Sequence, residues 1–314
     1  MRKTVGVKLP QVFGHRGACA YRPENTLEAF ELAFDMGADA IECDLVPTSD
    51  GHLIIRHENE LSGTTDVANH PEFADRKRTQ LFYGHWEVTG WFSEDFTLDE
   101  IATLRAVERI PEVRPGSAKF DGQYAIPTID DLLSASFAEG RTLILEVKHG
   151  RHFKEQGFDS VKLLADAVAA CDWRERGIQL VFEAFDYGII KELKQNIGGD
   201  SKFVYLVEGW GMPEPAKLHT WLDDVAANVD GISFDVKLLF EQIDQDGFGV
   251  QFGAPNDLVA QAHARGLSVY TWTARAEDAK FSVEEYYHHF VELGTDGVFA
   301  DHPDLFRDFV AGLA

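Results

Sequence analysis

Nine short apolar runs punctuate the chain, at residues 11–15, 40–45, 53–57, 142–148, 179–182, 203–207, 231–234, 268–273 and 297–301. Their length and their content of Val, Ile, Leu and Phe predict strands. Between several of them lie stretches with apolar residues at helical spacing. In 26–36, Leu27, Phe30 and Phe34 share one face, and 158–171, 187–196, 215–226, 256–265 and 283–293 repeat the pattern. Residues 303–314 read as a closing helix. Strand and helix in alternation predict an α/β fold with a parallel sheet, here a (β/α)8 barrel of the TIM type. Nine candidates exceed the eight strands of such a barrel by one, so one run is an extra strand or no strand at all.

The rhythm breaks between residues 58 and 124. Turn-prone Ser62-Gly63-Thr64-Thr65-Asp66, several prolines, and aromatics at Phe82, Tyr83, Trp86, Trp91, Phe92 and Phe96 fill this stretch. It is too long for an ordinary loop. Within a single domain spanning 1–314 it reads as an inserted subdomain that caps one barrel end. Most of its rings should pack internally, with a minority lining a substrate cleft.

Composition narrows the partners. Lys plus Arg number 29 against 53 Asp plus Glu, a formal charge of -24, which repels nucleic acid and anionic membrane surfaces. The same field opposes an anionic substrate, so a phosphate site in this chain requires local cations, a metal among them. Cys19, Cys43 and Cys171 are odd in number and contain no CxxC pair, so they read as buried free thiols. No signal-like apolar stretch precedes the first strand, and no run approaches a membrane span. The expectation is a cytoplasmic protein, or a secreted or periplasmic one from which a leader has been trimmed.

Polar groups interrupt the strands at a consistent place. His15 and Arg16 follow the first run, and the third, Leu53-Ile54-Ile55-Arg56-His57, also ends on a histidine. In barrels the C-terminal strand ends carry the chemistry. Glu42 and Asp44 alternate within Ile41-Glu42-Cys43-Asp44-Leu45, so strand periodicity turns both carboxylates inward. In the next run Glu146 and Lys148 share a face. Three carboxylates from different strands form an all-oxygen site suited to Mg2+ or Ca2+ rather than zinc. Arg16 and Lys148 supply donors for phosphate oxygens. A single strand-end histidine is often structural, and a lone strand carboxylate often just pairs with a neighbour; seven polar groups at four strand ends point to an active site.

The segments GHRGACAYRPENTLEAF, GADAIECDLVPTSDGHLIIRHENEL and LEVK resemble those of the glycerophosphodiester phosphodiesterases. TTDVANHPEFADRKRTQ, DFTLDEIATLR, YAIPTIDDLL, VYTWTARAED and TDGVFADHPD extend the likeness over most of the chain, and resemble the longer, GlpQ-like branch with an insertion after the third strand. The resemblance implies His15 and His57 as the acid/base pair, Glu42, Asp44 and Glu146 as ligands of one divalent metal, and Arg16 and Lys148 as phosphate-binding groups. Glu24 matches a motif residue near the site. Trp272 stands where the family often places an aromatic against glycerol, with core packing as its alternative. Two departures are Glu58, where many members carry Asp, and Ala184-Phe185, where Ser-Phe is common. The implied reaction is metal-dependent hydrolysis of a glycerophosphodiester to glycerol 3-phosphate and an alcohol. Rival readings are a sphingomyelinase D-like diesterase, a metal-independent phosphoinositide lyase and a noncatalytic phosphodiester-binding barrel.

Overall fold

A computed structural model of the protein describes residues 8–82, 86–247 and 249–314; Tyr83 lies outside them. Eight parallel strands build the barrel: β1 (Gln11–Gly14), β2 (Ala40–Pro47), β6 (Thr142–Val147), β7 (Gln179–Ala184), β8 (Lys202–Val207), β9 (Gly231–Asp235), β12 (Ser268–Ala274) and β13 (Gly297–Ala300). They neighbour one another in that order, and pairing of β1 with both β13 and β2 closes the ring. Helices α1 (Leu27–Asp35), α3 (Ile129–Ser134), α5 (Ser160–Ala170), α6 (Tyr187–Asn196), α7 (Leu218–Asn228), α8 (Leu258–His263), α9 (Val283–Glu292) and α10 (Pro303–Ala311) surround it, with the short α4 (Gly150–Glu155) leading into α5. This is the (β/α)8 architecture expected from the alternation of runs.

The ninth run is β3 (Leu53–Ile55), which pairs antiparallel with β2, Leu45 opposite Ile55. Only residues 48–52 separate the two, where the Thr48 amide donates to the His52 carbonyl at 2.8 Å. A connection that short permits an antiparallel return, whereas a parallel neighbour needs a crossover of a dozen or more residues. His57 therefore follows a hairpin strand outside the ring, and the reading of it as a barrel strand end is corrected.

Residues 58–124 contain the hairpin β4 (Arg78–Phe82) and β5 (Trp86–Gly90), the short α2 (Leu98–Ile101) and several 3-10 turns. Their apolar side chains, among them Leu61, Val67, Phe73, Trp91, Phe96, Ile101 and Leu104, form a second cluster against Val46, Ile54 and Phe153, separate from the main core. Phe82, Trp91, Phe92 and Phe96 are buried and Trp86 is exposed. Among the described residues none of these rings reaches the central cavity, contrary to the expectation that a minority would. A further hairpin, β10 (Ile243–Asp246) and β11 (Gly249–Phe252), follows β9 and has no signal in the apolar pattern. No helix is long and apolar enough to cross a membrane among the described residues. All three cysteines are free, and Cys171 is only partly buried.

Inside the barrel, Phe13, Ala40, Ile144, Val181, Val204, Tyr270 and Phe299 make an apolar plug. The polar groups of β2, β6 and β7 lie beyond it toward the C-terminal strand ends. The loop from β1 to α1 is tightly drawn. Gly17 has φ +82°, and a Cβ there would lie 2.5 Å from the Ala29 carbonyl carbon, so only glycine fits. Thr26 caps α1, its hydroxyl accepting from the Ala29 amide at 3.2 Å.

Candidate active site

Alternation along β2 places Glu42 and Asp44 on the interior face, and register sets Asp44 beside Glu146 and Glu146 beside Glu183. Each of Glu42, Asp44 and Glu146 offers a carboxylate oxygen within 4.8 Å of the other two. All three are buried. They come from two neighbouring strands, Glu42 and Asp44 from β2 as the alternation of that run predicts and Glu146 from β6. Asn25 donates to Asp44 Oδ2 at 2.8 Å, and the Arg16 amide donates to Glu42 Oε2 at 2.8 Å. Lys148 Nζ lies 2.8 Å from Glu146 Oε1 and 3.6 Å from Asp44 Oδ1, and Arg16 Nε lies 3.4 Å from Asp44 Oδ2.

These cations do not neutralise the cluster. Burial, then Asp44 and Glu146, hold Glu42 well above the ordinary carboxylate range. Burial also pushes Glu146 up to about 7, with Lys148 opposing and Asp44 reinforcing. Burial works against the charge on Asp44 too, but His57, Lys148 and Arg16 hold it low. Glu183, missed at the sequence level, is buried and raised by desolvation and by Glu146 and Asp44. Asp44 Oδ1 and Glu183 Oε1 have no hydrogen-bond partner. Buried carboxylates in such excess call for a cation. The donor set, all oxygen with an unpartnered atom of Asp44 among it, fits a hard divalent ion at Glu42, Asp44 and Glu146.

The two histidines are held alike. His15 Nδ1 lies 2.6 Å from Asp301 Oδ1, and His57 Nδ1 lies 2.5 Å from Glu58 Oε1. An ionised carboxylate only accepts, so Nδ1 carries the proton in both rings. Lys148 Nζ, a donor, stands 3.1 Å from His57 Nε2, which therefore accepts. Burial, then Arg16 and Lys148, lowers His57 to about 4. Burial and Arg16 also lower His15, against Asp301.

Arg16 sits at φ 54°, a left-handed conformation that costs a non-glycine residue energy. That twist aims its amide at Glu42 while its guanidinium meets Glu24 at 3.2 Å. Glu24 is thus a buried partner of Arg16. Arg56 is fully buried and spends its guanidinium on the carbonyls of Ile55, Thr64, Glu24 and Asn25, fixing the loops that carry the site.

Together these groups open on one cavity of about 440 Å³ counted to its mouth, lined by His15, Arg16, Glu42, His57, Glu146, Lys148, Glu183, Phe185, Trp272 and Arg275 among others. Trp272 meets Phe185 edge to face at 5.5 Å and packs on the barrel plug, so it serves core and cavity together. The structure thus brings the site residues named from the sequence together here: His15, Arg16, Glu42, His57, Glu146, Lys148 and Trp272 line the cavity, Asp44 joins through its carboxylate cluster and Glu24 through Arg16. Beyond Glu183, sequence reasoning missed Asn25, Arg109, Arg114, Arg275 and Asp301. Asp301 ends a strand run and Glu183 continues the alternation of Val181, so both were within reach of the pattern. Nothing local marks the arginines.

A family model described as the glycerophosphoryl diester phosphodiesterase family matches residues 15–305. The chain is 29% identical over 335 aligned residues to glycerophosphodiester phosphodiesterase GDPD6 of Arabidopsis thaliana, covering 96% of this chain and 86% of that one. It is 24% identical to a glycerophosphodiester phosphodiesterase of Haemophilus influenzae, over 96% and 90% of the two chains. Among solved structures, an Oleispira antarctica phosphodiesterase in complex with the product sn-glycerol-3-phosphate superposes with TM-score 0.67 at 21% identity, covering 96% of this chain and 97% of the other. A glycerophosphodiester phosphodiesterase from Thermotoga maritima gives 0.59 at 20% identity, over 96% and 98%. At these identities the structural likeness establishes the barrel fold.

Proposed function

Since the chain belongs to the glycerophosphoryl diester phosphodiesterase family, we propose that it hydrolyses glycerophosphodiesters to glycerol 3-phosphate and an alcohol, with His15 and His57 moving protons beside a divalent cation held by Glu42, Asp44 and Glu146. One observation carries this reading: two imidazoles, each tied at Nδ1 to a carboxylate, line the same cavity as Glu42 and Glu146, whose buried carboxylates converge with that of Asp44 behind them. The product named for the Oleispira structure supports glycerol 3-phosphate as the phosphate-bearing product.

His57 is the base. Its Nε2 is an acceptor and the ring is neutral at physiological pH, so it takes the proton of the attacking hydroxyl, whether from water or from the glycerol itself. His15 is the acid. Burial and Arg16 favour its neutral ring while Asp301 orients it and opposes them, so an anionic phosphodiester that offsets the charge of Arg16 moves His15 toward the protonated form the acid needs. His15 Nε2 then delivers the proton to the departing alkoxide. Arg16 and Lys148 line the cavity, and their guanidinium and ammonium groups would donate to the nonbridging phosphate oxygens. When bound, the cation supplies positive charge for the phosphate and allows the three carboxylates to ionise together. Ca2+ and Mg2+ both suit the oxygen donors.

The test is release of glycerol 3-phosphate from glycerophosphocholine with calcium or magnesium, with EDTA, and in His15→Ala and His57→Ala. Activity should require the metal and fall by about two orders of magnitude or more in each variant. Undiminished turnover in EDTA would falsify the metal assignment and favour a lyase-type mechanism, and no release from several headgroups would remove the substrate class.

A further inference from the structure

Both histidine dyads are fastened by one short stretch of the insertion. The segment turns at residues 110–114, where the amides of Val113 and Arg114 donate to the Ile110 carbonyl at 2.9 Å. Arg109 and Arg114 flank that turn and reach different carboxylates.

Arg109 grips Glu58 through Nη1 to Oε1 at 2.9 Å and Nη2 to Oε2 at 2.6 Å. It also holds Glu24 through Nε at 2.8 Å and Nη2 at 2.7 Å. Glu58 is the carboxylate on His57 Nδ1. Arg114 donates to Asp301 Oδ2, to Glu277 Oε1 at 2.6 Å and to the Cys19 carbonyl at 3.3 Å. Asp301 is the carboxylate on His15 Nδ1, and Arg275 reaches it as well, at 2.9 Å. Neither Arg109 nor Arg114 lines the cavity.

We propose that Arg109 and Arg114 are a pair of positioning residues through which the insertion fixes the tautomer of both proton-transfer histidines. Each guanidinium locks its carboxylate in one rotamer, with one oxygen facing an imidazole Nδ1–H. The ring then presents Nε2 to the substrate and cannot flip or exchange tautomers without breaking a buried ion pair. A planar fork suits this task better than an ammonium, because Arg109 must span two carboxylates at once. The inference rests on the acid/base roles given above to His15 and His57. Its decisive readout requires no substrate.

Imidazole 15N spectra of the uniformly labelled full-length protein distinguish protonated from unprotonated ring nitrogens, with His15 and His57 assigned through His15→Gln and His57→Gln. In the substrate-free wild type, at a pH where the rings are neutral, both should show the Nδ1–H form. Arg109→Gln should spread the His57 signals toward the other tautomer and leave His15 unchanged, and Arg114→Gln should do the reverse. On glycerophosphocholine, each should lower kcat by about tenfold or more with KM within about threefold. Arg109→Lys and Arg114→Lys, which keep the charge but lose the fork, should fall between. Wild-type spectra showing an Nε2–H tautomer at either ring overturn the proposal whether or not the variants fold. So do folded glutamine variants whose two signatures match wild type. If the spectra behave as stated while no glycerophosphodiester is cleaved, the clamp stands and the substrate reading fails.

Discussion

Glu24, Glu58 and Asp301 are carboxylates that burial alone would neutralise. Instead each titrates below its ordinary value: Glu24 because Arg16 and Arg109 flank it, Glu58 because His57 and Arg109 donate to it, and Asp301 because Arg275, His15 and Arg114 surround it. A carboxyl depressed in the folded state adds stability that is complete above its unfolded pKa and drains away as pH falls toward the folded one. The ordinary values are 4.5 for Glu and 3.8 for Asp, so the loss should set in below that range. Urea melts should therefore show Arg109→Gln less stable than wild type near about pH 7, with the gap narrowing once pH falls below the ordinary carboxylate range but still open near about pH 3. A gap constant across that range would mean that the arginine contributes packing rather than charge. These partners also mark the limit of sequence reading at this scale. Glu42, Asp44 and Glu146 were legible because strand periodicity turns them inward. Arg109 was not, because its carboxylates lie 51 and 85 residues away and neither sits on a periodic element.

At the scale of elements, apolar runs located every barrel strand because each must bury both faces. What they did not convey was direction. Leu53-Ile54-Ile55 looks like its neighbours as a string and differs only in the brevity of the link before it. The hairpin β10–β11 escaped because β10 is exposed along its whole length. The β1–α1 connection offers a sharper test. A side chain at Gly17 would collide with the backbone of Ala29 and also strain a positive φ. Gly17→Ala should therefore cost about 3 kcal/mol or more in chemical unfolding. Any folded fraction should turn over poorly, because the Arg16 amide is drawn away from Glu42. Retained stability with full activity would show that the loop yields more readily than its contacts suggest.

For the whole molecule, the -24 formal charge and the individual cations that line the cavity among its carboxylates, Arg16, Lys148 and Arg275, act at different ranges. Contacts within the cavity persist in salt, whereas the long-range field is screened beyond roughly 10 Å at 0.1 M. Raising ionic strength from about 10 to 150 mM should lower KM for a net-anionic substrate such as glycerophosphoglycerol. KM for zwitterionic glycerophosphocholine should move less. Equal responses would show that the distant charge does not reach the approach path. The sequence disclosed the net charge but not its full arrangement, because Arg275 and Glu183 join Arg16, Lys148, Glu42 and Glu146 around the cavity only on folding.

Closure of the ring has a consequence during synthesis. His15 and Asp301 are 286 positions apart and meet because β1 and β13 are adjacent. A ribosome-bound chain can emit the early strands and the insertion while the imidazole of His15 still lacks its counter-charge. Catalytic competence should appear abruptly, when the last strand emerges and completes the ring. Nascent or truncated products lacking 297–301 should stay silent toward phosphodiesters however well their earlier portions fold.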